Sequence, residues 1–263
     1  MAISKVAIVG AGVMGEAMIH ALHRIGVKAS EITIKEKRSE REQELVTKYG
    51  VTLNSLSDSD AILLAVKPQD LEKTLSEIGP EIGKGTLLVS LLAGVKSSRI
   101  EELAGSKVRV VRVMPNTPLL IGAGMSAIST GKSATESDIE WVENLLSKSG
   151  ATLVVNEDLM DVVTATSGSG PAYLFGFVEA MIEGAKRLGL DESAAKLLVS
   201  QTMVGAAKMV SESEKDAKTL RENVTSPNGT TAAALSVFDS NKWHEIVYQA
   251  MKAAKERSQE LSN

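Results

Sequence analysis

Three glycines near the start of the chain, Gly10, Gly12 and Gly15, are spaced to serve a phosphorylated ligand. The run Gly10-Ala11-Gly12-Val13-Met14-Gly15 fits G-x-G-x-x-G, follows the apolar stretch Lys5–Val9 and opens a helical pattern. The first glycine permits the turn, the second lets the backbone approach a pyrophosphate, and the third lets helix pack on strand. The phosphates would then lie on free N–H groups at the positive end of the helix dipole. Val9–Gly15 is therefore the expected dinucleotide loop. The next apolar run ends in Lys35-Glu36-Lys37-Arg38. Glu36 follows Gly15 by 21 positions, where an acidic side chain would bind the ribose 2′-hydroxyl of NAD(H). Lys37 and Arg38 stand where cations would bind a 2′-phosphate. One carboxylate among three cations leaves a local charge of +2, which favours NADP(H) and leaves NAD(H) open. The plain alternative for Lys37 and Arg38 is the solvated first turn of a surface helix.

Four later segments carry polar groups in unusual company. Ala65-Val66-Lys67-Pro68 follows a strand pattern, and Pro68 bars Lys67 from helical geometry. In a doubly wound sheet that position is the ligand-binding carboxyl edge. Met114-Pro115-Asn116-Thr117-Pro118 is a rigid loop in which Asn116 offers an amide, either to a ligand or only to a connector between sheet segments. Ser167-Gly168-Ser169-Gly170-Pro171-Ala172-Tyr173 opens a long helix. Val224-Thr225-Ser226-Pro227-Asn228-Gly229-Thr230-Thr231 places four hydroxyls at another helix start, whose free N–H groups suit a carboxylate. A well-capped helix start is the equal alternative there.

The rest of the composition narrows the chemistry. The chain has 263 residues, no cysteine and three histidines (His20, His23 and His244). Thiol catalysis, disulfides and cysteine-ligated metals are excluded, and the three histidines lie in two distant segments. A net charge of −4, with two Trp, three Tyr and three Phe, argues against a nucleic-acid partner. The uncharged stretch 113–131 is long enough for a membrane span, but its prolines and glycines read as strand–loop–strand. With no cysteine and no secretory apolar region, a soluble cytoplasmic protein is expected.

The elements that must position these groups change character along the chain. Strand runs at Lys5–Val9, Ile32–Lys35, Ala61–Val66, Thr86–Ser90, Val108–Val113, Met125–Ser129 and Thr152–Val155 alternate with helical patterns at Val13–Ile25, Arg38–Tyr49, Leu71–Ile78 and Glu136–Ser149. This predicts an α/β fold, a Rossmann-like doubly wound and mainly parallel sheet. After about residue 160 only helices are predicted, so residues 1–160 form a dinucleotide-binding domain and 161–263 an all-α domain. Ser193–Val210 is apolar nearly all round and must be buried on all sides. A subunit interface accounts for it better than a lone small bundle does.

The ordered set VGAGVMG, AVKP, MPNTP, SGSGPAY and LRENVTSPNGTT resembles the pyrroline-5-carboxylate reductase family along essentially the whole chain. The last segment is the most specific. Asn228 departs from it, where the family usually has glycine, and Asn tolerates the left-handed backbone. The resemblance implies NAD(P)H-dependent reduction of 1-pyrroline-5-carboxylate to L-proline, with the helical domain building a homodimer that can assemble further, for instance into a decamer. It implies that Val9–Met14 hold the pyrophosphate, that Ala65–Pro68 flank the nicotinamide ribose, and that Asn54 lies near the adenosine. It further implies that Ser226, Gly229, Thr230 and Thr231 hold the substrate, with Thr231 near the ring nitrogen, and that Glu214 lies near the substrate. A β-hydroxyacid dehydrogenase shares the two-domain plan, but Leu174 stands where that family has its lysine.

Overall fold

A computed structural model describes residues 3–105 and 108–261. The first compact unit comprises Met1–Ser169 and Ala253–Asn263, and the second is Gly170–Lys252. The first unit thus runs past the residue 160 expected from periodicity, and it also takes back the end of the last helix.

Seven strands form one sheet: β1 (Val6–Val9), β2 (Ile32–Lys35), β3 (Ala61–Leu64), β4 (Leu87–Ser90), β5 (Arg109–Pro115), β6 (Gly124–Thr130) and β7 (Gly150–Val154). Their order is β2-β1-β3-β4-β5-β6-β7. All pairs are parallel except β5–β6, which is antiparallel through the loop carrying Asn116. The central strands β1, β3 and β4 are short and buried on both sides, as expected where both faces of a sheet are covered. Val6 and Ile8 face one core cluster, and Ala7 and Val9 the other.

Helices α1 (Val13–Arg24), α2 (Ser39–Tyr49) and α5 (Glu136–Ser147) cover the first face through Met18, Ile19 and Leu22, Leu45, and Val142, Leu145 and Leu146. Helices α3 (Leu71–Ile78) and α4 (Ser97–Ala104) cover the other through Leu71, Leu75 and Ile78, and Ile100. The doubly wound sheet is therefore present. The sequence reading has no counterpart to α4, because eight residues with one fully buried apolar side chain make a weak periodic signal. The strand order reverses between β1 and β3, so a crevice opens at their carboxyl ends.

A short helix α6 (Met160–Val163) leads into a π-helical turn, Thr164–Gly168. Hydroxyls of Thr164, Thr166 and Ser167 bond back to the carbonyls of Met160, Val162 and Val163, a habit that competes with regular helix geometry.

The second unit holds α7 (Gly170–Arg187), α8 (Glu192–Glu212), α9 (Ala217–Asn223), α10 (Thr230–Ser240) and most of α11 (Trp243–Glu260). Asp191 and Asp216 cap α8 and α9, accepting from the N–H groups of Ala194 and Thr219. Gly189, at φ +106°, ends the α7 turn. Within one chain α8 buries only Ala195 and Val199, while Leu197 is 71% exposed and Leu198, Met209 and Val210 stand open.

Candidate nucleotide and substrate sites

The crevice at the strand-order reversal holds a cavity of about 550 Å³. Its walls include Val9, Gly10 and Gly12, the β2 end from Lys35 to Arg38, and Ala65, Val66 and Lys67 after β3. The glycines behave as the motif requires. Gly10 adopts φ +89°, and a Cβ there would meet the Ala65 carbonyl carbon at 2.8 Å. A Cβ on Gly15 would strike the Gly10 carbonyl, whereas one on Gly12 would point into open space. Gly12 is thus the position at which a ligand can reach the backbone. No side chain caps the start of α1, so its N–H groups remain available to an anion.

The peptide of Ala11 is held from both sides. Its N–H donates to the Glu36 carboxylate at 2.9 Å, and its carbonyl accepts from Arg41 Nε at 3.3 Å. Arg41, Lys48 and the Tyr49 hydroxyl all bond Glu16 on α1. Burial alone would raise the Glu16 pKa; these three donors outweigh it and hold it at about 2. The glycine loop is therefore fixed by a charged brace before any ligand arrives. His20, bonded to Tyr49, belongs to the same brace.

Lys37 and Arg38, expected to recognise a 2′-phosphate, and Lys35 before them are each paired. Lys35 bonds Glu81 at 2.9 Å, Lys37 lies 3.5 Å from Asp70, and Arg38 Nε bonds Glu36 at 3.1 Å. The local +2 counted along the sequence is compensated in space by Glu81 and Asp70, which come from beyond β3. The Glu36 side chain is only 9% exposed. Burial opposes its ionisation, and the bonds from Arg38 and Ala11 prevail, keeping its pKa below the ordinary carboxylate value.

Helix α3 and the turn before it supply wall residues that sequence reasoning missed: Asp70, Thr74, Glu77 and Ile78. The Thr74 hydroxyl is buried without a hydrogen-bond partner among the described residues. Only the nearness of Asp70 to Lys67-Pro68 hinted at this wall.

Other expected residues are not among those lining the cavity. Asn54 is exposed on the loop after β2 and α2, Val13 is exposed, and Pro68 begins the turn leading to α3. Met14 packs against the core cluster of the first face. Asn116 is buried, and its amide is committed to the protein: Oδ1 accepts the Met125 N–H at 2.9 Å and Nδ2 donates to the Ser167 carbonyl at 3.1 Å. Of the two readings of Asn116, the connector is the one its bonds describe.

In the helical unit, Thr225–Gly229 forms the turn into α10. Asn228 adopts φ +58°, so the departure from glycine is accommodated in the left-handed region. A Cβ on Gly229 would meet the Ser226 hydroxyl and lie 3.1 Å from the Ser226 carbonyl oxygen, so a larger residue there would require Ser226 to shift. Gly229 precedes α10 with no side-chain cap, leaving the first-turn N–H groups to Thr230 and the half-buried Thr231 uncovered by the chain's own side chains. The Thr225 hydroxyl bonds the Arg221 carbonyl at 2.6 Å and fixes the preceding turn. Glu214 lies in the exposed bend between α8 and α9.

Residues 157–261 match the family model described as pyrroline-5-carboxylate reductase dimerisation, and residues 5–94 match that described as NADP oxidoreductase coenzyme F420-dependent. The chain is 40% identical to the pyrroline-5-carboxylate reductase of Haemophilus influenzae, over 97% of each protein. It is 37% identical to that of Arabidopsis thaliana, covering 98% of this chain and 95% of the plant protein. Among solved structures, the enzyme from Coxiella burnetii superposes with a TM-score of 0.89 at 32% identity, covering 100% of both chains. A Plasmodium falciparum pyrroline carboxylate reductase with NADP bound gives 0.86 at 30% identity, covering 98% of each. The fold, the crevice at its strand reversal and this near full-length similarity agree: the chain belongs to the pyrroline-5-carboxylate reductase family.

Proposed function

We propose that this chain reduces 1-pyrroline-5-carboxylate to L-proline with NADP(H), accepting NAD(H) at the same site, as the last step of proline biosynthesis in the cytoplasm. The observation that carries the proposal is the 40% identity to a pyrroline-5-carboxylate reductase over 97% of the chain. The crevice supports it. An uncapped helix start, an open Gly12 and the orphaned Thr74 hydroxyl are what a dinucleotide would satisfy.

The backbone of Gly10–Met14 holds the pyrophosphate, Ala65–Pro68 flank the nicotinamide ribose, and Asn54 lies toward the adenosine. Lys37 and Arg38 face the 2′-phosphate, and Gly15 and Asn116 support the loops that carry these contacts. Ser226, Gly229, Thr230 and Thr231 receive the substrate, with the N–H groups at the α10 start turned to its carboxylate. When bound, the reduced nicotinamide supplies a hydride to C5 of the cyclic imine. The ring nitrogen gains a proton, either before binding as the iminium or from water relayed through the Thr231 hydroxyl, and the product is the secondary amine. Glu214 completes the substrate end.

The protonated imine is already electrophilic, so the protein's work is alignment and exclusion of water. No histidine or cysteine is required. The helical unit forms a homodimer, and dimers assemble further, for instance into a decamer. The exposed apolar residues of α7 and α8 support that assembly.

The test is oxidation of NADPH and of NADH followed at 340 nm with 1-pyrroline-5-carboxylate, with proline identified as product. Substrate-dependent oxidation is expected with both. Its absence with either nucleotide would sink the assignment.

A further inference from the structure

Glu36 lies in the wall of the crevice at the place where a ribose 2′-substituent would arrive, beside Lys37 and Arg38. Its carboxylate is already engaged by three donors: the Ala11 N–H at 2.9 Å, the Arg38 N–H at 3.2 Å and Arg38 Nε at 3.1 Å. The second cation, Lys37, is drawn 3.5 Å from Asp70 on the opposite wall. A dianionic 2′-phosphate would meet a buried carboxylate, and would have to win both cations from partners they already have. A free 2′-hydroxyl meets no such obstacle, because it can donate a hydrogen bond to the same carboxylate. The Glu36 side chain is 9% exposed while that of Arg38 is 66% exposed, so solvent screens the pair from the arginine side only and the desolvated carboxylate sets the competition.

We propose that Glu36 is the specificity-determining residue of the nucleotide site: a resident anion that competes with the 2′-phosphate for Arg38, restrains the advantage of NADP(H) and keeps NAD(H) usable. This assignment rests on nucleotide binding at the glycine loop.

The experiment measures binding rather than turnover. ADP-ribose and 2′-phospho-ADP-ribose are titrated calorimetrically into the full-length protein, as wild type and as E36Q, R38Q and the double variant. Glu36→Gln keeps the size of the side chain and an oxygen for the Ala11 N–H while removing the charge.

The wild type is expected to bind both probes, within about tenfold of each other. E36Q should tighten 2′-phospho-ADP-ribose on the order of tenfold, the scale of one freed charge-assisted hydrogen bond, and alter ADP-ribose by less than about threefold. Adding Arg38→Gln to E36Q should abolish that gain, and R38Q alone should cost less than it does in the E36Q background. An unchanged ratio between the probes in E36Q, or equal changes for both, would overturn the role of Glu36. Failure of the wild type to bind either probe would instead overturn nucleotide binding itself. Should E36Q not fold, Glu36→Ser makes the same comparison, with circular dichroism confirming its fold.

Discussion

At the scale of single residues, the proposed substrate end turns on Thr231. It is the second residue of α10, behind a glycine packed closely against Ser226. A hydroxyl there sits beside uncapped N–H groups, an arrangement that can hold a carboxylate and a ring nitrogen together. Thr231→Ala is expected to lower kcat/KM on the order of tenfold or more, as loss of a hydrogen bond to a charged group would. Thr231→Ser should recover most of it. Steady-state kinetics with unchanged thermal stability is the check, and an unaltered kcat/KM would remove Thr231 from the site. Asn228 teaches a smaller lesson. Its side chain differs from the glycine that the resemblance implies there, yet the backbone angle adopted is one that Asn tolerates.

At the scale of elements, the loop between β5 and β6 is tied to the π-helical turn. Asn116 joins the Met125 N–H at the start of β6 to the Ser167 carbonyl, and a Cβ on Gly168 would collide with Met114. The proline-flanked loop and the glycine–serine run, distant in sequence, are thus halves of one contact inside the first unit. Asn116→Ala leaves a donor and an acceptor without their partner in a buried place. We expect a loss of about 1–3 kcal/mol, read as a lower urea midpoint at constant m-value. An unchanged midpoint would show the clamp to be dispensable. This joint was not legible beforehand. Asn116 advertised a free amide, and nothing local in the sequence marks which distant carbonyl will take it. The central strands were legible because β1, β3 and β4 are short apolar runs buried on both faces. Helix α4 was not, since a single turn or two with one deeply buried isoleucine barely rises above loop composition.

At the scale of the molecule, the helical unit leaves large apolar side chains uncovered. Leu174, Phe175, Leu197, Leu198, Val204 and Val210 are all exposed in the single chain. Patches of that kind mark association surfaces, in keeping with the dimerisation model matched by residues 157–261. Leu197→Glu should shift the protein toward monomer, because burying an unpaired carboxylate in such an interface is costly. Sedimentation velocity reads the result directly, and an undisturbed dimer would place the interface elsewhere. The expectation that Ser193–Val210 is buried all round was drawn from its composition. One chain buries only Ala195 and Val199 of that helix, so its composition answers to an assembly larger than the single chain.

The sequence by itself determined the doubly wound sheet, the glycine loop at its first turn, the family, and the helical character of the second half. Each of these depends on local periodicity or on short contiguous motifs. Only the tertiary structure decided the electrostatics of the nucleotide crevice. Lys35 and Glu81 are 46 positions apart, yet their charged atoms lie 2.9 Å from one another. Charges sum along a chain regardless of place, but Coulombic pairing falls off with distance in space. The apparent excess of positive charge at the end of β2 is therefore a property of the sequence that the fold removes.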